Sequence, residues 1–259
     1  FIPAFGVAGI GYATILVNIL GVFLILLKVL KSKRIIGLTI KHFFPNVNLL
    51  KKLFYQSAPI SAALLLISVG NFIILTYIGV FGEFAVAGFG SAARFEQILL
   101  LPVLGLNTAI ISIIGQNFGA KNFLRVQESY FTAVKYGFIL MIISGLIIFL
   151  SADKIVGIFS NNPVVIDYGT NYLKISALIF PAYPIFFISN GFFMAIKKSK
   201  NSMYLNVIRN VILPLPTILV ANAIDGSFKT FFWCYCFANW IYVLCLFVYV
   251  RSYIKKKIL

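Results

Sequence analysis

The stretch GFGSAARFEQILLLPVLGLNTAIISIIGQNFGAKN, Gly88 to Asn122, decides the fold. Its last ten residues, IIGQNFGAKN from Ile113 to Asn122, have the outline of a phosphate-binding loop: two glycines, polar residues between them and a lysine close behind. The spacing excludes that reading. A Walker loop needs four residues between its first Gly and a Gly-Lys pair, then Ser or Thr. Here three residues separate Gly115 from Gly119, and Ala120 stands before Lys121. Direction excludes it too, because a phosphate site forms where a glycine loop opens a helix, whereas these residues close a long apolar run. Read as a helix stop, the segment is coherent. Gly119 is expected to supply the left-handed residue that ends the helix, with Gly115 one turn earlier. Lys121 complements the negative end of the helix, and Gln116 and Asn117 are placed to bond interfacial backbone groups.

The rest of the chain has the same character. Of its 259 residues 61% are hydrophobic and 11% charged, and the mean hydropathy of +1.00 is far above that of a soluble domain. The fold class expected is an all-α integral membrane protein. Seven apolar stretches approach the roughly 20 residues that a helix needs to cross a bilayer. They are Val7 to Leu27, Pro59 to Phe81, Val86 to Gly115, Tyr130 to Leu150, Ile175 to Ile196, Met203 to Ile224 and Thr230 to Val250. Barrel strands would be about half as long and alternating. The chain starts at Phe1 and enters an apolar segment with no basic flank, which is not a signal peptide. It reads as a fragment whose upstream part is missing.

The net charge of +16 does not point to nucleic acid, because of where the charges lie. Eighteen of the 22 basic residues fall in four clusters, Lys28 to Lys52, Lys121 to Lys135, Lys197 to Arg209 and Arg251 to Lys257, which follow alternate helices. The other connections carry Glu83, Asp153, Asp167 and Asp225 with only Lys154 and Lys229. The positive-inside rule then places the basic clusters, and Leu259, in the cytoplasm. Orientation and attraction to anionic membrane lipid account for the excess without a nucleic-acid partner. Cys234, Cys236 and Cys245 all fall in the last apolar helix as buried fillers, and His42 stands alone in a basic loop. No metal site and no cofactor is expected.

Residues 1–30 hold one lone helix, 31–52 the longest polar connection, and 53–259 six closely spaced helices that are expected to form one unit. Pro102, Pro181, Pro184, Pro214 and Pro216 lie inside helices, where each removes a backbone hydrogen bond that neighbouring helices or trapped water must replace. Kinks of this kind either pack a bundle or open a cavity in it. Gly88, Gly90, Ser91, Ala92 and Ala93 allow close helix approach. Ionisable groups in apolar runs are the first functional candidates, and here they are Arg94, Glu96 and Lys174. Arg94 and Glu96 project about 200° apart on one helix, so they do not pair with each other. Lys174 enters the fifth helix at a similar depth, which makes a Glu96–Lys174 pair the expected outer polar network, with Arg94 free for the lumen. Snorkelling of all three to the interface is the alternative. Asn71, Tyr183 and Asn190 are the candidate substrate ligands, Tyr183 and Asn190 lying about two turns apart on one face. A large aromatic cation is the expected occupant of that face. No paired carboxylates and no nucleophile beside a histidine are present, so an enzyme is not expected.

The pattern from Gly88 to Asn122, with its small residues, Arg-x-Glu, Leu-Pro, Gly-Leu and Gly-Gln-Asn-x-Gly-Ala-Lys, resembles the eighth helix of the multidrug and toxic compound extrusion (MATE) family. Ala58-Pro59 resembles the opening of that family's seventh helix, Val207 to Pro214 its eleventh, and Gly6 to Ala13 its sixth. The resemblance implies two six-helix lobes in parallel repeat about a central cleft, exporting cationic amphiphiles against H+ or Na+ across the plasma (inner) membrane. It implies that this chain holds one helix of the first lobe and all of the second, so that the missing N-terminal lobe is a partner. In one branch of the family the second lobe binds the coupling ion through two acids, whose positions here hold Ile67 and Tyr183. By that comparison this lobe is expected to move and bind drug without binding the ion. A lipid-linked oligosaccharide flippase of the same superfamily, or a non-transporting membrane scaffold, are the other readings.

Overall fold

The computed structural model describes residues 6–31 and 46–257, and within them every regular element is helical. The elements are α1 (Gly6–Lys31), α2 (Val47–Gly79), α3 (Glu83–Gly119), α4 (Phe123–Gly157), α5 (Pro163–Ile179) and α6 (Ala182–Ala195), followed by α7 (Ser199–Val207), a π-helical turn (Ile208–Ile212), α8 (Pro214–Ile224) and α9 (Phe228–Lys257). Most of the 31–52 connection, His42 included, lies outside the described residues. The chain divides into two compact units, Phe1–Lys52 and Leu53–Leu259. In the first, the described side chains of α1 are almost all exposed, as those of a helix in contact with lipid are.

Among the described residues six spans pass the length and hydropathy that a bilayer demands, and α5 with α6 makes a seventh if that bent pair is one span. The chain is a multi-pass membrane protein of all-α class. The helices overrun the bilayer: α3 has 37 residues, about 55 Å at 1.5 Å per residue, against a hydrocarbon core of about 30 Å.

Proline positions explain the breaks. The fifth span starts at Pro163, earlier than the apolar run suggests, and bends by 57° between Ile179 and Ala182. Pro181 has no N–H to give the carbonyl of Ala177, and α4 closes on that carbonyl through Gly145, where an added Cβ would lie 2.7 Å from it. The next carbonyl, Leu178, accepts the indole Nε1–H of Trp240 at 3.0 Å. The sixth span repeats the device. Pro214 leaves the Asn210 carbonyl free, the turn before it widens so that Leu213 N–H bonds the Ile208 carbonyl at 2.8 Å, and Gly70 of α2 packs so close to Asn210 that an added Cβ would lie 2.8 Å from the Asn210 Cβ. Neighbouring helices thus fill the gaps that the prolines leave.

Close helix approach centres on α3 and α5. A Cβ at Gly88 would stand 2.6 Å from the Val165 carbonyl, and one at Gly169 would stand 2.9 Å from the Gly88 carbonyl. Gly90, two residues on, faces open space. The tightest interior is aromatic, with Tyr130, Phe180, Phe186, Phe192 and Phe193 fully buried, and the Tyr130 and Ser189 hydroxyls bonded at 2.8 Å.

Candidate functional site

The second unit has a half-open cavity of about 380 Å³ whose walls come from α2, α3, α5, α6, the π turn and α9. Ile67 and Asn71 reach it from α2, Phe89, Glu96 and Gln97 from α3, and Tyr172 from α5. Tyr183, Phe186 and Phe187 enter from α6, Arg209 and Asn210 from the π turn, and Phe232 and Tyr235 from α9. Hollows of about 520 and 410 Å³ near the C-terminal end of α9 are lined by Arg251 and Lys255 and by Lys198 and Lys256, all exposed side chains at the end of the bundle. The mid-bundle cavity differs from them in holding buried charge.

Glu96 is 7% exposed and is the buried acid among the described residues. Its Oε2 accepts hydroxyls of Tyr172 and of Ser176, the latter at 2.9 Å, and its Oε1 accepts the Tyr183 hydroxyl at 2.5 Å. A carboxylate offers about four lone-pair positions, so these three donors leave one open. Arg209, 8% exposed, is the buried base. Its guanidinium carbon stands 4.1 Å from the Phe186 ring centre, 4.8 Å from Tyr183 and 5.7 Å from Phe187. Tyr183 therefore touches both charges, the acid with its hydroxyl and the base with its ring.

Several expectations change here. The Glu96–Lys174 pair does not form: Lys174 and Arg94 are both exposed, and the ion pair that the described residues do make within 4 Å is Arg125–Glu128, on the surface of α4. Hydroxyls in place of a lysine hold the acid, because α5 presents Tyr172 and Ser176 to α3 and turns Lys174 away. Asn71 and Tyr183 do line the cavity, but Asn190 does not. It accepts the Ser202 hydroxyl from α7, since the seven-residue spacing that puts it near Tyr183 on a straight helix also leaves it facing a different neighbour. Arg209, grouped by sequence with the cytoplasmic basic cluster, lies ten residues inside the span from Ser199 and faces inward.

The helix stop is also built differently. Gly119 stays in the helix, and the left-handed residue is Lys121, φ 58°. Asn122 N–H reaches back to the Asn117 carbonyl at 2.9 Å, a Schellman closure. Asn122 then caps α4, its side chain accepting the Arg125 N–H at 3.3 Å. Gln116 bonds Ser112 and Asn117 the Ile113 carbonyl, both within α3. A Cβ added at Gly115 would meet the Ala195 carbonyl of α6 at 3.8 Å, an ordinary contact distance. The end of α6 repeats the closure, with Lys197 at φ 61° and Lys198 N–H on the Phe193 carbonyl at 2.8 Å.

The second unit is thus a bundle of six spanning elements, all but α4 of which wall a cavity that holds one acid and one base. The chain belongs to the MATE family: the family model described as MatE matches residues 59–220. Multidrug export protein MepA of Staphylococcus saprophyticus is 21% identical over 85% of this chain and 48% of its own length. The probable multidrug resistance protein YpnP of Bacillus subtilis is 28% identical over 88% and 51%. A solved MOP superfamily transporter from Pyrococcus furiosus superposes with a TM-score of 0.88 at 22% identity, over 98% of this chain and 58% of that one, a likeness of fold. The chain spans about half the length of the curated relatives it matches. MepA is named as a multidrug export protein and YpnP as a probable multidrug resistance protein, and the family is one of transporters, not enzymes.

Asn71, Tyr183 and Glu96, singled out from the sequence, line the cavity, whereas Tyr172 and Arg209, which also line it, and Ser176, which bonds Glu96, were not singled out. An Arg six residues into the Met203–Ile224 apolar run, five before a proline, is the signal that could have found Arg209.

Proposed function

We propose that residues 53–259 are the second lobe of a two-lobe efflux transporter, with residues 1–30 the last spanning helix of the first lobe and 31–52 the cytoplasmic linker. The whole protein exports an amphiphilic small molecule, cationic groups included, in exchange for H+ or Na+ across the plasma membrane, and needs its N-terminal lobe to do so. Alternating access requires two bodies that move about a site between them.

The observation that supports this reading most is Glu96, a buried acid in a cavity with one acceptor position open. Such a group holds a proton or a cation at that position, one at a time, so the arrival of one favours release of the other. The resemblance suggests a second lobe without a coupling acid, because Ile67 and Tyr183 replace carboxylates. Glu96 supplies the missing charge from the neighbouring helix, bonded to Tyr183 itself. An acid at the centre of a membrane helix costs about 2.5–3.5 kcal/mol by insertion scales, and its hydroxyl partners and cavity are the compensation.

Dye efflux from vesicles that hold this chain together with a first lobe tests the reading. Glu96→Gln is expected to abolish dependence on the H+ or Na+ gradient, while Lys174→Met, at an exposed side chain, leaves efflux in place. Gradient-driven efflux that survives Glu96→Gln would sink the assignment. The proposed orientation puts the basic connections and Leu259 in the cytoplasm. A cysteine introduced at Asn161 should react with an impermeant thiol reagent added outside intact cells, and one at Lys198 should not.

A further inference from the structure

We infer that Arg209 receives an acidic group of the transported molecule, so that the cargo is an aromatic amphiphile bearing a carboxylate or a similar oxyanion. The inference rests on the cavity being the cargo site. Arg209 is more than nine-tenths buried and lines that cavity. Its visible partners are ring faces: Phe186, Tyr183 and Phe187 lie 4.1, 4.8 and 5.7 Å from the guanidinium carbon. Rings stabilise the charge but accept none of its five N–H donors along their own directions. Among the described residues no carboxylate oxygen lies within 4 Å of it and no side-chain hydrogen bond of Arg209 is made.

The cavity's own acid does not answer this demand, since Glu96 spends three acceptor positions on Tyr172, Ser176 and Tyr183. Asn210, beside Arg209 in the π turn, donates its amide to Asn206 and does not turn an acceptor to it. The guanidinium opens on the cavity with no protein acceptor in reach, so its N–H donors are free for an acceptor carried by a guest. A carboxylate matches its fork with two parallel hydrogen bonds, which a neutral amide or an ammonium cannot. The rest of the wall is largely apolar, aliphatic at Ile67, Ile74 and Leu100 and aromatic at Phe89 and Phe232, whose rings stack 6.1 Å apart, so the body of the guest is apolar with a ring to lay on them. A cationic group elsewhere on the same molecule still has the open position on Glu96.

The test is binding of a matched pair, naphthylacetate and naphthylacetamide, to the 259-residue chain in neutral-lipid nanodiscs, by equilibrium dialysis with empty nanodiscs subtracted. The two probes share a body and differ in one charge. The native chain is expected to bind the acid saturably and at least about tenfold more tightly than the amide. Arg209→Gln should bring the two within about twofold, and Arg209→Lys should keep part of the preference. An amide that binds as well as the acid to the native chain overturns the inference, as does a preference that persists in a folded Arg209→Gln. If that variant does not fold, Arg209→Lys decides: an acid preference undiminished there belongs to the other basic side chains and overturns the inference. Acid binding with no efflux by the two-lobe protein would overturn the transport reading and leave this one standing. Efflux with no preference for the acid would do the reverse.

Discussion

Glu96 and Arg209 share one cavity without forming an ion pair, and the chemistry of the site follows from that separation. Hydroxyl donors hold the acid and ring faces hold the base, so each keeps capacity for a mobile partner: one acceptor position on Glu96 and the N–H edge of Arg209. A direct salt bridge would have closed both. At the same scale, glycines separate by role. Gly119 has a helical backbone and nothing within 4 Å of an added Cβ, so Gly119→Ala should be neutral or stabilise by about 0.5–1 kcal/mol. Gly88→Ala drives a methyl to 2.6 Å from the Val165 carbonyl and should cost about 1–3 kcal/mol. Thermal unfolding of the two variants in detergent checks the pair. Equal melting temperatures would contradict the α3–α5 contact described above. The reading of Gly119 as the left-handed stop fails for a reason visible only in the backbone. The turn that closes α3 is made one step later, at Lys121, where a lysine bears a strain of about 1–2 kcal/mol that a glycine would avoid.

Proline and glycine act in pairs at the scale of the helix. Pro181 frees the Ala177 carbonyl and Gly145 of α4 lies against it; Pro214 frees the Asn210 carbonyl and Gly70 of α2 lies against that residue. The bend and the widened turn are what aim Tyr183, Phe186 and Arg209 into one space, because a straight α5–α6 or a regular α7–α8 would rotate them apart. Gly145→Ala is therefore expected to destabilise the fold by about 1–3 kcal/mol, and Gly105→Ala, on an open face of α3, to be neutral or stabilise by about 0.5–1 kcal/mol. Trp240→Phe, which removes the donor from the Leu178 carbonyl, should cost about 1 kcal/mol. Thermal unfolding separates the three. The prolines themselves were legible in the sequence as kinks. Their glycine partners, 36 and 144 residues away in the chain by the numbering, were not.

At the scale of the molecule, the two-lobe proposal makes the chain one lobe with one lone helix, which cannot rock against itself, so the 259-residue chain alone is expected not to carry out gradient-driven export. Proton- or sodium-driven dye efflux by the purified chain in vesicles would overturn the two-lobe proposal. What the sequence by itself determined was the all-α membrane fold, the spans and the family. A spanning helix is a local sum of about 20 transfer free energies, and the Gly88–Asn122 pattern is a contiguous run, so both can be read along the chain. Only the tertiary structure decided which ionisable groups face inward. Arg94, Glu96, Lys174 and Arg209 all sit within or beside apolar runs, yet two are buried and two exposed. Side-chain facing depends on the rotation of each helix about its axis, and contacts between distant elements set that rotation. Glu96 meets its partners 76, 80 and 87 residues further along the chain, and no local sum contains those distances.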